Sequence, residues 1–75
     1  MLHPIVEEVW TTGLDPKPTR LARIRDARVG WDAAYDRARE LAAEFDESDF
    51  VHGEQYSYAW GRNKDSMEIH RFIVK

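Results

Sequence analysis

Between Trp31 and Phe45 the residues sort cleanly onto two sides of one helix. Trp31, Ala34, Tyr35, Ala38, Leu41, Ala42 and Phe45 share one side at ~100° per residue. Asp32, Asp36, Glu40 and Glu44 recur every fourth position on the other. This spacing predicts a helix over about residues 32–45, with Asp32 as N-cap. A helix with one apolar side needs a second layer to cover it, and the rest of the chain must supply that layer.

The C-terminal residues have a different period. Tyr56, Tyr58 and Trp60 alternate with Ser57 and Ala59, and Met67, Ile69 and Ile73 alternate with Glu68, His70, Phe72 and Val74. Alternation over this length predicts a β-hairpin turning at 62–65. A turn centred on Asn63 and Lys64 places Trp60 opposite Met67, Tyr58 opposite Ile69, and Tyr56 opposite Arg71. In that register the large side chains form one face and pack on the helix, so Leu41 and Trp60 share a core. Phe72, Val74 and His70 then fall on the open face. His70 lies opposite Ser57, an exposed polar pair with no third catalytic member.

The first half is less periodic. Val6, Val9, Trp10, Thr11 and Thr12 favour a strand over 5–12, although Pro4, Glu7, Glu8 and Gly13 also suit a short helix. Residues 19–26 read as a second strand, and Gly13 to Pro18 as a connection. Asp46 to Asp49 reads as a polar exit loop. The expected fold is α+β: one domain over 1–75, an antiparallel sheet on one amphipathic helix in the order ββαββ, ending in the hairpin. The alternative replaces the first two strands by two short helices.

Composition limits the chemistry. The chain has no cysteine, which removes disulfides, thiolate metal sites and a cysteine nucleophile. His3, His52 and His70 show no zinc-ligand spacing. A calcium loop starting at Asp46 would need glycine at its sixth position, where Val51 stands. No phosphate-cradling glycine motif and no nucleophile-elbow serine motif occurs. The expectation is a protein without cofactor, metal or enzymatic activity. No apolar run reaches the ~20 residues of a membrane span, and no signal peptide opens the chain, so a soluble cytoplasmic protein is expected.

Trp60-Gly61-Arg62 resembles the tripeptide that names the WGR domain of poly(ADP-ribose) polymerases. The resemblance covers three residues, and Trp60 is read as a core residue.

Two charged segments remain as candidate sites. Like charges at i,i+4 weaken a helix by ~0.2–0.5 kcal/mol per pair, and the ridge holds three such pairs. An acidic array that costs stability suits a protein partner with a basic, nucleic-acid-binding groove. The expected partner-binding residues are Asp32, Asp36, Glu40 and Glu44, with His70 and Phe72 on the open sheet face. Lys17, Arg20, Arg23, Arg25 and Arg28 form a basic segment over 17–28 that offers the alternative, a nucleic-acid-binding regulator. The net charge of −3 weighs against it. Burying the open sheet face in a homodimer gives a third possibility, a structural homo-oligomer. The preferred expectation is a non-enzymatic protein-binding module, a small modulator or inhibitor. By size, acidity and lack of catalytic motifs it is analogous to phage and mobile-element accessory proteins, anti-CRISPR proteins among them.

Overall fold

The structure, a computed structural model, describes residues 1–12 and 19–75. The expected connection over 13–18, with Lys17, lies outside the described residues. Five strands and one helix follow in order: β1 (Leu2–Thr11), β2 (Arg23–Val29), α1 (Trp31–Ala42), β3 (Glu47–His52), β4 (Ser57–Arg62) and β5 (Glu68–Val74). The strands form one antiparallel sheet in the order β2-β1-β5-β4-β3, and α1 packs on one side of it. The α+β class and the ββαββ sequence of elements hold, with one further strand between helix and hairpin. No helix among the described residues is long and apolar enough to cross a membrane.

The ambiguous first segment is a strand because it alternates in context. His3, Ile5, Glu7 and Val9 are buried on one side of the strand, the side on which α1 packs, while the residues between them face the other way. β5 returns to the centre of the sheet and pairs along β1 from Ile5↔Val74 to Thr11↔Glu68. β2 pairs on the other side of β1, with a bulge between Ile5 and Val6 that leaves Arg25 as the extra residue. The bulge lets the sequence neighbours Arg25 and Asp26 both reach the helix-covered side, onto Glu7 and Arg37.

The helix lies earlier in the chain than its periodicity suggests: its N-cap is two residues before Asp32, and it ends at Ala42, not at residue 45. Gly30, at φ 90°, is the N-cap, and no side chain caps the first turn. Asp32 therefore lies inside the first turn, where its charge favours the N-terminal end of the helix dipole. Gly30 takes a left-handed backbone that a side chain would resist. Trp31 stacks on the buried His3 ring at 3.8 Å between centroids and so ties the helix start to β1.

The core lies between α1 and the sheet. Ala34, Ala38, Leu41 and Ala42 meet Ile5, Ala59, Phe72 and Val74, with Tyr35, Phe45 and Phe50 packed at the margin. The helix contributes mostly alanine, so its axis can approach the sheet closely, and the sheet must be small beneath it. Ala59 and Gly61 meet that need. A Cβ on Gly61 would stand 2.5 Å from Phe45 Cδ2 and 2.8 Å from the Ala42 carbonyl oxygen.

This close approach corrects the expected hairpin. The register is shifted by four residues: Trp60 pairs with Arg71, not Met67, and Tyr58 with Ile73, not Ile69. An even shift keeps the large residues together on one face, but that face points away from the helix. Trp60 is half-buried on the open side and does not join Leu41. Tyr56 precedes β4 and is exposed. Phe72 and Val74, expected on the open face, are fully buried under α1. Asp46 to Asp49 is no simple loop either. Glu47 to Asp49 open β3, and Asp46 accepts a hydrogen bond from the Lys64 backbone N–H (2.8 Å), joining the strand entry to the β4–β5 turn.

Candidate functional site

Residues paired across neighbouring strands point to the same face, so the register maps the uncovered side of the sheet. Ile24, Val6, Ile73, Tyr58 and Val51 form one row across all five strands. Glu8, Arg71, Trp60 and Asp49 form the next, and Trp10 and Ile69 the third. The same alternation places Leu2 and Val29 on this side, each more than 60 % exposed. No described element packs on it. Apolar side chains scattered singly are ordinary on a protein surface, whereas a contiguous patch marks a contact site.

Arg71 sits at the centre of this face. Its guanidinium lies over the Trp10 ring (5.1 Å) and the Tyr58 ring (5.3 Å). It makes no ion pair among the described residues. Beside it, the Glu8 carboxylate accepts a hydrogen bond from the Trp10 indole (3.1 Å) and likewise has no ion-pair partner there. Two opposite charges thus stand next to each other on an apolar surface, each held by aromatic rings instead of by the other.

Asp32, Asp36 and Glu40 are exposed on α1, and Glu44 is exposed in the turn beyond the helix end at Ala42, so three of the four acids, not all, share the expected helix ridge. Its charge is partly offset. Arg39 reaches Asp36 at 3.4 Å, and Arg37 reaches Glu40 at 3.2 Å. Arg37 also binds Asp26 at 2.8 Å, and this hydrogen bond lowers the Asp26 pKa and raises that of Arg37. Asp32 and Glu44 have no ion-pair partner among the described residues.

The basic segment is folded onto acids. Arg23 and Arg25 hold Glu7 at 3.1 and 2.9 Å, Arg28 holds Asp26 at 2.6 Å, and Arg20 lies 3.6 Å from Glu68. Each described arginine of the segment therefore has a carboxylate partner, which reduces its capacity for phosphate contacts.

His70 and Phe72 belong to the covered side. His70 pairs with Gly61 in the ladder, not with Ser57, and its Nδ1 lies 2.8 Å from Glu7 Oε2. Phe45 covers His70 at 4.6 Å between ring centroids. Burial pushes the Glu7 carboxyl up, but hydrogen bonds from His70, Arg25 and Arg23 outweigh it and hold the group below its ordinary value. The ionised Glu7 thus orders β1, β2 and β5 around one point. Ser57 faces His52 instead (Oγ to Nδ1, 3.1 Å), and no carboxylate orients that histidine among the described residues.

Concave sites are modest. A cleft of about 260 Å³ lies between the α1 C-terminal end and β3, lined by Arg39, Ala42, Ala43, Ser48, Asp49 and Phe50. A second of about 100 Å³ lies beside Glu7 and Arg20. Small-molecule sites commonly measure ~300–1,000 Å³. Among the described residues no three histidine or carboxylate groups are placed to share a metal ion.

Sequence reasoning missed Trp10, Tyr58, Trp60 and Arg71 as surface residues. The signal was present in the small residues: Ser57, Ala59 and Gly61 alternate with the large ones, and an alanine-rich helix selects the small set. Comparison with known protein families, with curated proteins and with solved structures found no match.

Proposed function

We propose that the chain is a non-enzymatic protein-binding module and that the uncovered sheet face is its principal contact surface. One observation supports this reading above the others. The apolar row Ile24, Val6, Ile73, Tyr58 and Val51 crosses the whole sheet, with Ile24 exposed, Val6, Tyr58 and Val51 part-exposed and Ile73 at its centre already buried among them. Such a face gains by excluding water, at roughly 25 cal/mol per Å² of apolar surface covered. The aromatic and arginine side chains beside it are the types that dominate interface energetics. The acidic ridge serves as a second, polar surface, with Asp32 and Glu44 as its uncompensated charges.

The experiment is affinity capture from the native host with wild type, Tyr58→Asp, and the double variant Asp36→Asn with Glu40→Gln. Each variant is first shown to be folded by circular dichroism. Capture lost with Tyr58→Asp and kept with the ridge variant supports the sheet face. The reverse pattern moves recognition to the ridge, and capture by none of the three overturns the protein-binding reading.

A further inference from the structure

We infer that the uncovered sheet face is closed by a second copy of this chain, in a two-fold dimer with the two sheets face to face. The inference rests on the reading of that face as a contact surface and adds its occupant. Glu8 and Arg71 are direct partners in the β1–β5 ladder and stand at one height on adjacent central strands. A two-fold axis running along the strands between β1 and β5 lays β1 of one copy over β5 of the other. Glu8 then meets Arg71 of the second copy, and Arg71 meets its Glu8, the reciprocal pairing of an isologous interface. The same axis sets Val6 over Ile73, an apolar pair over its own equivalent.

The charges choose this occupant. Arg71 has aromatic neighbours and no described ion pair, so covering it with an apolar surface would bury an uncompensated charge. A polyanion would meet Glu8 and Asp49 on the same row. A second copy brings one carboxylate to each guanidinium, and Glu8 keeps free acceptor sites beyond its bond from Trp10. The area is adequate for a modest complex. Four overlapping strands at ~4.8 Å spacing, each about six residues long, give a flat footprint on the order of 400 Å² per copy. With side-chain relief the pair buries roughly 1,000 Å² in total, the low end for specific interfaces, which suits a micromolar dissociation constant. Aligned sheet packing at about 30° preserves the central Glu8–Arg71 contacts.

The test is sedimentation equilibrium of the full chain across the micromolar range, with circular dichroism of every variant. Wild type is expected to rise from one chain mass towards two. Arg71→Glu and Glu8→Arg each place like charges face to face, and each should weaken the dimer about a hundredfold or more. An equimolar mixture of these two variants should recover the dimer, because each copy then meets its opposite charge. That rescue separates charge pairing from damage to the fold. A wild-type chain that stays monomeric while capture of another protein is still lost with Tyr58→Asp overturns the second copy and leaves the sheet face as a binding surface. A dimer indifferent to both charge variants overturns this interface, and so does a mixture that stays monomeric.

Discussion

His70 Nδ1 lies 2.8 Å from the Oε2 of Glu7, across the β1–β5 ladder and beneath the ring of Phe45. A carboxylate only accepts, so with Glu7 ionised the histidine donates from Nδ1. Arg23 and Arg25 approach the other oxygen from β2. One buried acid therefore links three strands that come from the two ends of the sequence.

That arrangement sets a pH dependence. The folded Glu7 pKa lies below its ordinary value of 4.5. Its contribution is therefore complete above about pH 4.5 and is lost as pH falls through the lower folded value. Thermal melts of wild type between neutral and acidic pH should show stability falling below that point. Glu7→Gln should melt lower at neutral pH, by an amount corresponding to roughly 1–3 kcal/mol, with a flatter acid limb. An unchanged acid limb in Glu7→Gln would remove this group from the acid response.

Gly61 measures how close α1 lies to the sheet. Adding a Cβ there meets Phe45 and the Ala42 carbonyl within 3 Å. Overpacking of this kind costs ~1–3 kcal/mol, and each kcal/mol shifts melting by about 4–8 °C in a domain this small. Gly61→Ala should therefore lower the melting temperature clearly, and wild-type melting would place the helix further out.

Leu41 and Trp60 test the two sides of the sheet. Leu41 is buried on α1 against the sheet, and Leu41→Ala should cost ~2–5 kcal/mol in chemical denaturation. Trp60 is only half-buried on the open face, so Trp60→Ala should cost less than Leu41→Ala. Equal losses would return Trp60 to the core.

The helix and the strand alternation were legible because burial repeats at 3.6 and 2 residues, and both repeats are written in Ala34 to Ala42 and in Tyr58 to Val74. The choice of face was not legible from hydrophobicity. Both sides of β5 are apolar, with Ile69 and Ile73 on one and Phe72 and Val74 on the other, and β4 differs by size more than by polarity. Steric fit under an alanine helix decides it. Long-range partners were also hidden. No local signal tells that Glu7 will meet His70, or that β5 will enter between β1 and β4. The acidic ridge was legible as an exposed series, but its partial neutralisation by Arg37 and Arg39 depends on i,i+3 geometry that a count of acids overlooks.

Nucleic acid provides a direct check on the basic segment. Arg20, Arg23, Arg25 and Arg28 are engaged with carboxylates, and freeing them to contact phosphate would break those pairs. Fluorescence anisotropy with random duplex and single-stranded DNA at physiological salt should show no binding tighter than micromolar. Nanomolar, steeply salt-dependent binding that Arg23→Ala and Arg25→Ala abolish would reverse this expectation.

The ridge and the sheet face are separated by a variant of the ridge alone. Asp36 and Glu40 are exposed, and their pairs with Arg39 and Arg37 are surface pairs of small individual worth. Asp36→Asn with Glu40→Gln removes both pairs and also the like-charge neighbours at i,i+4, two effects of opposite sign. Folding should change by no more than about 0.5 kcal/mol. Association through a polar ridge is steered by charge, so its on-rate should fall in the double variant and should already be slowed by added salt. Association through the sheet face covers Val6 and Tyr58 and pairs Glu8 with Arg71, so it should respond to salt but not to the ridge variant. Surface plasmon resonance at two salt concentrations, with the captured partner or with the chain itself as analyte, separates these cases. A salt-sensitive on-rate that falls in the folded double variant assigns recognition to the ridge. An on-rate that the ridge variant leaves unchanged assigns it to the uncovered sheet.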